Sequence, residues 1–203
     1  PSVTDILPAE RLTLFKKSLA LSDFILRSAI QAPELLVKLF NSEQLLSSDT
    51  PEYSVMLAKT IEKCTTEEQL QKCLRLFRLE QMVHIAVGDF LLNISLDESL
   101  KRLSLLADSL VIAANNWLSK FCESKWGVPV NSVGEAQSLL VYGMGKLGGQ
   151  ELNFSSDIDL IFVYPEAGET QGFRRSIDNQ LFYTRLGQKL ITALNQQTAD
   201  GFV

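Results

Sequence analysis

A net charge of −5 over 203 residues argues against a dedicated nucleic-acid binder, which is ordinarily basic, although a metal ion can still offset the charge of a nucleotide locally. The composition, 46% hydrophobic and 21% charged, is that of a soluble globular chain long enough for one large domain or two small ones. No apolar run approaches the roughly 18 residues of a membrane span, and the polar start has no secretory h-region, so no membrane association and a cytoplasmic location are expected.

Residues 1–135 are predicted to form helix after helix. Leu12, Phe15, Leu19, Phe24, Leu26 and Ile30 recur near helical spacing, with Ser22-Asp23 placed to break or recap the stretch. Pro33 suits the first turn of a short helix ending near Phe40. Residues 41–51 are polar and read as a long loop, and Pro51 opens a helix to about Lys63. Thr65 or Thr66 caps the next helix, with Glu67 and Glu68 at its positive end and an apolar stripe reaching about Leu92. Ser95 with Glu98 is a capping-box pattern that starts a long helix, and Gly127-Val128-Pro129 ends it.

The character then changes. Residues 138–142 and 157–164 read as two buried strands, 165–172 as a loop, and 176–195 as an amphipathic helix. Phe202-Val203 looks like the start of a third strand. The sequence therefore predicts an α+β fold: a helical region over 1–135 and a small mixed sheet in a core over 136–203.

Chemistry concentrates between the two strands. Asp157 and Asp159 stand at i and i+2, so on a strand they face the same way, about 6–7 Å apart in Cα, as a pair of oxygen donors for a divalent cation. The glycine turn just before them can bring backbone N–H groups to a phosphate. Gly143-Met144-Gly145-Lys146-Leu147-Gly148 also matches G-x-G-x-x-G, but only eight residues separate Gly148 from Asp157, too few for the helix of a dinucleotide fold. The acids also open a strand rather than close one, and no Gly-Lys-Ser/Thr phosphate loop occurs.

Gly145, eleven intervening residues and Asp157-Ile158-Asp159 resemble the signature of the DNA polymerase beta-type nucleotidyltransferase superfamily. The longer run from Gly143 through Phe162 resembles the bifunctional glutamine synthetase adenylyltransferase/adenylyl-removing family, as do Leu76-Phe77-Arg78, Ile85-Ala86 and Gln171-Gly172-Phe173-Arg174-Arg175. Asn153-Phe154 resembles the N-terminal, adenylyl-removing half, where the other half tends to carry Gly-Tyr.

The resemblance implies a truncated nucleotidyltransferase core in which Asp157 and Asp159 hold Mg²⁺ or Mn²⁺. Gly145, Lys146, Gly148, Gly149 and Ser156 would meet phosphate or nucleotide. The implied reaction is phosphorolysis of AMP from a tyrosine of glutamine synthetase, giving ADP. The alternatives are ATP-dependent adenylyl transfer to the same tyrosine, or a regulatory module that binds nucleotide or the PII signal protein without turnover. A third carboxylate is expected beyond Val203, so the 203-residue piece, which also lacks an initiator Met, is expected to be catalytically incomplete.

Other residues have plainer readings. His84 reads as a core or boundary histidine, and Trp117 and Trp126 as packing groups. Cys64, Cys73 and Cys122 fit no zinc or C-x-x-C spacing and read as reduced, mostly buried thiols. Arg75 and Arg78 read as helix-surface residues pairing with acids such as Glu80. Glu151, Arg174 and Arg175 divide between site support and solvation.

Overall fold

The computed structural model describes residues 6–47, 49–172 and 174–195. Three short helices, α1 (Ala9–Leu21), α2 (Asp23–Gln31) and α3 (Pro33–Asn41), lead into a 3₁₀ turn at Glu43–Leu46 and α4 (Tyr53–Ile61). Two long helices follow, α5 (Glu67–Leu91) and α6 (Leu96–Trp126). Then come β1 (Val128–Pro129), β2 (Leu140–Gly143), the single turn α7 (Gly145–Gly148), β3 (Leu160–Val163), β4 (Thr170–Gln171) and α8 (Asn179–Asn195).

Local chemistry sets the helix limits. Ser22 breaks the first amphipathic stretch by accepting a bond from the Ile25 N–H, which starts α2. Thr66 does the same for α5 through Gln69, and Ser95 for α6 through Glu98. The Glu98 side chain does not complete a capping box: it accepts from Arg102 at 2.8 Å and from the Thr50 hydroxyl instead. The polar stretch expected as a loop holds the 3₁₀ turn, capped by Ser42.

Two apolar clusters hold these elements together. One gathers Phe15, Ile25, Leu36 and Phe40 against Val83 and Val87 of α5. The other joins Leu70, Leu74, Leu106, Leu118, Phe182 and Leu186, so α5, α6 and α8 share one interior that runs from Tyr53 to Leu194. Each fully buried Leu or Phe stabilises by about 1.5–3 kcal/mol. Lys189 of α8 closes the side of this layer on Glu67 of α5 at 2.7 Å.

The sheets are smaller than expected. β2 and β3 form an antiparallel hairpin with Leu140 opposite Val163 and Gly143 opposite Leu160. β1 and β4 form a second antiparallel pair, so among the described residues no mixed sheet forms. Residues 127–129 and 165–172 are thus not simply helix end and loop. The hairpin is also not buried on both faces. Val141, Leu160 and Phe162 pack on the core, while Leu140, Tyr142, Ile161 and Val163 are exposed. The expected strand at Phe202-Val203 lies outside the described residues. No described helix is long and apolar enough to cross a membrane.

His84 is buried, as expected, at 4% exposure. Burial chiefly, then the Arg102 charge, holds its pKa below the usual value, while hydrogen bonds from the imidazole to backbone at Gln44 and Leu45 pull partly the other way. A depressed folded pKa gives stability that is full above the unfolded value of about 6.5 and is lost as pH falls through the folded value. Urea unfolding between about pH 7.5 and about pH 5.5 should therefore show a falling midpoint that His84→Gln flattens. An equal slope in both chains would remove His84 as the cause.

Trp117 and Trp126 pack as expected. Trp117 stacks on Phe121 with centroids 5.1 Å apart, and Trp126 meets Phe182 edge-on at 6.1 Å. Arg75 does not lie on the helix surface but is buried, and Arg78 is half-buried in the wall of an open cleft.

Candidate active site

The hairpin positions the signature. One step past Gly143, the Met144 N–H donates to the Asp159 carbonyl at 2.8 Å and so extends the ladder beyond β2. Gly145 then takes φ +56°, a left-handed conformation that costs most residues about 1–2 kcal/mol. A Cβ on Gly145 would lie 3.8 Å from Asp159 Oδ2, so the turn passes directly against that carboxylate. The single turn α7 is closed by the Gly149 N–H donating to the Gly145 carbonyl at 3.0 Å and the Glu151 N–H donating to Lys146 at 2.8 Å.

The aspartates precede β3 rather than open it, because ladder pairing begins at Leu160. Ile158 is half-buried and packs on the core, while Asp157 and Asp159 are both exposed, Asp157 at the edge of a cleft that Ile158 also lines. Both present hard oxygen donors, suited to Mg²⁺ or Mn²⁺ ions that complete their shells with water and phosphate oxygens. Among the described residues no group of three or more His, Cys, Asp or Glu could hold a metal.

Asn153 organises the segment between turn and acids. Its Oδ1 accepts from the Ser155 N–H at 3.2 Å, the Ser155 hydroxyl at 3.2 Å and the Ser156 hydroxyl at 2.8 Å. Ser156 Oγ in turn accepts from the Asn153 N–H at 3.2 Å and stands 3.5 Å from Lys146 Nζ. The structure therefore brings Gly145, Lys146, Ser156 and Asp159 together. The Ser156 proton is directed at Asn153, so its hydroxyl serves first to fix the loop and seat Lys146.

Gly148 is placed differently. A Cβ there would lie 2.7 Å from the Gly143 carbonyl oxygen, so its bare backbone packs inward on β2. Gly149 and the exposed Glu151 stay on the outer side of the turn, and Arg174 and Arg175 are exposed.

Sequence reasoning missed the loop's anchors. Phe154 packs against both apolar clusters. The Leu152 N–H donates to Ser104 Oγ of α6 at 3.1 Å, and Gln150 Nε2 donates to Asp108 at 3.1 Å. Beneath the loop a cavity of about 410 Å³ is lined by Arg78, Met82, Leu103, Asn153, Ser156 and Asp157, among others. Burial lowers the Arg78 pKa, yet a guanidinium stays charged, so a cation borders the acidic end of the loop. Asn-x-Ser-Ser is the one local signal that reveals the turn from sequence.

Ser104→Ala should leave the Leu152 N–H without a partner in a buried position, at about 1–2 kcal/mol. Amide exchange of residues 152–156 should quicken accordingly while α1 to α3 keep their protection. Unchanged exchange in that loop would count against Ser104 as its anchor.

The family model for glutamate-ammonia ligase adenylyltransferase matches residues 12–203. The bifunctional glutamine synthetase adenylyltransferase/adenylyl-removing enzyme of Psychromonas ingrahamii is 50% identical over 192 residues, covering 94% of this chain and 20% of its own length. The enzyme of that name from Vibrio parahaemolyticus is 49% identical over 96% of the chain and 20% of its own length. The one from Shewanella woodyi is 44% identical over 100% of the chain and 21% of its own length. The chain thus spans about a fifth of the length of the curated relatives it matches.

Proposed function

The chain belongs to the glutamate-ammonia ligase adenylyltransferase family, and from that premise we propose that it is the part of such an enzyme that removes AMP from a tyrosine of glutamine synthetase by metal-dependent phosphorolysis, giving ADP. In this reading residues 136–203 belong to a polymerase-beta-like nucleotidyltransferase core and residues 1–135 to a helical region. The observation that carries it is the placement of the Gly145 turn against Asp159, with Lys146 beside Ser156. Asn153 supports the choice of half: its side chain accepts three bonds, which a glycine at that position could not do.

In the reaction a phosphate oxygen attacks the α-phosphorus of tyrosine-bound AMP, the P–O bond to tyrosine breaks, and the tyrosine oxygen takes a proton. Asp157 and Asp159 would hold Mg²⁺ or Mn²⁺, which supplies positive charge against the attacking and leaving oxygens. The Lys146 ammonium, fixed by Ser156 and thus by Asn153, neutralises phosphate oxygens. The Gly145 turn lets backbone approach phosphate with no side chain in the way.

The test is a pair of assays on a full-length enzyme that carries this segment. ADP formation from adenylylated glutamine synthetase and phosphate should be lost on Asp157→Asn or Asp159→Asn, while pyrophosphate release from ATP persists. Loss of pyrophosphate release instead would assign the segment to adenylyl transfer. Loss of neither would make it a module that binds nucleotide or the PII protein without turnover.

A further inference from the structure

Cys64 and Cys73 lie nine positions apart in sequence, Cys64 in the connection between α4 and α5 and Cys73 in the early turns of α5. The fold brings Cys64 Sγ to 3.3 Å from Cys73 Sγ, with Cys64 donating its S–H. We infer that this pair is a modification site: a low-molecular-weight disulfide oxidises it to a reversible intramolecular disulfide that staples the α4–α5 corner.

Several observations on the two residues agree. A disulfide needs an S–S distance of about 2.05 Å, so the sulfurs have just over an ångström to close. Both thiols are free, and Cys73 is half-buried whereas Cys64 is buried. Cys73 is thus the sulfur that a small oxidant reaches first. Burial, then Cys73 itself, pushes the Cys64 thiol up to about 12, so Cys64 is not the first of the two to attack. Cys122 lies on α6, is buried, and has no part in the pair.

The step balances without a further reactant. The Cys73 thiolate attacks one sulfur of glutathione disulfide, forming a mixed disulfide and releasing one glutathione thiolate. Cys64 then attacks the Cys73 sulfur and releases the second glutathione. Two electrons pass to glutathione disulfide, and the two cysteine protons end on the released thiols. The new bond closes a short loop through residues 64–73, which constrains the unfolded chain more than the folded one.

The Trp117 indole N–H donates to the Cys64 carbonyl at 3.2 Å, so a reporter stands beside the pair. The 203-residue chain is incubated with millimolar glutathione disulfide, then its free thiols are titrated and its peptides mapped by mass. The free-thiol count should fall from three to one, with the mass lower by two hydrogens and a cross-linked peptide joining Cys64 to Cys73. Trp117 emission should shift in step and return with dithiothreitol. Cys64→Ser should stop at a glutathione adduct on Cys73, and Cys122→Ala should leave cross-linking unchanged. Three titrating thiols after this treatment, or a stable adduct on Cys73 in the unaltered chain, overturns the inference.

Discussion

Asp159→Asn is expected to lower metal-dependent ADP formation by about 10³-fold in a full-length enzyme that carries this segment, and Asp157→Asn by a comparable factor. An amide keeps the shape of the side chain but loses the charge that binds a divalent cation, so the change isolates the metal role. The fold should not register it. Both side chains are exposed, and the bond that ties this segment to the end of β2 is accepted by the Asp159 backbone carbonyl from the Met144 N–H. Thermal unfolding of the 203-residue chain should therefore stay within about 0.5 kcal/mol of the parent. Paramagnetic broadening by Mn²⁺ should fall on Gly145 and Asp159 in the parent and vanish in the variants. Activity reduced only several-fold, with broadening intact, would return the pair to a solvated acidic turn.

What the sequence made legible follows from range. Caps at Ser22, Thr66 and Ser95 were readable because a hydroxyl bonds an N–H three residues on. The exposure of Asp157 and Asp159 around the half-buried Ile158 was readable because a period-two pattern persists even where ladder pairing stops. The β1–β4 pair was not. Each strand has two residues, and they meet because Gly127 lets the end of α6 approach Gln171, a contact between residues far apart in sequence. The open face of the hairpin was hidden for a similar reason. An apolar run such as Leu160 to Val163 reads as buried on both sides, and only its packing shows that one side is uncovered. Arg78 and the Cys64–Cys73 pair depend on how α5 sits against its neighbours, which no local pattern records.

The glycines of the signature carry the other large effect, and they should separate. Taken as a sequence, Gly145, Gly148 and Gly149 look alike, three positions where backbone can approach phosphate. The structure gives each a different constraint. At Gly148 a Cβ would lie 2.7 Å from the Gly143 carbonyl oxygen, a backbone atom held by the β2–β3 ladder. Gly143 presses back in the same contact: a Cβ there would lie 2.9 Å from Leu147 Cδ2, and Leu147 is buried. The Gly143 oxygen is backbone and cannot yield by rotating a side chain, so Gly148→Ala must lift α7 off the strand. We expect a loss of about 2–3 kcal/mol in urea unfolding, together with weaker Mn²⁺ broadening at Gly145, which the same turn carries. Gly145→Ala makes only an ordinary contact, 3.8 Å to Asp159 Oδ2, but must hold φ +56°, at about 1–2 kcal/mol. Gly149 has φ −83° and would place a Cβ 3.6 Å from the nearest backbone oxygen, so Gly149→Ala should leave stability within about 0.5 kcal/mol. Any effect of Gly149→Ala on phosphate binding therefore belongs to the ligand and not to the fold. If Gly148→Ala proved as stable as Gly149→Ala, the close seat of α7 on β2 would be wrong, and with it the placement of Lys146 beside Ser156.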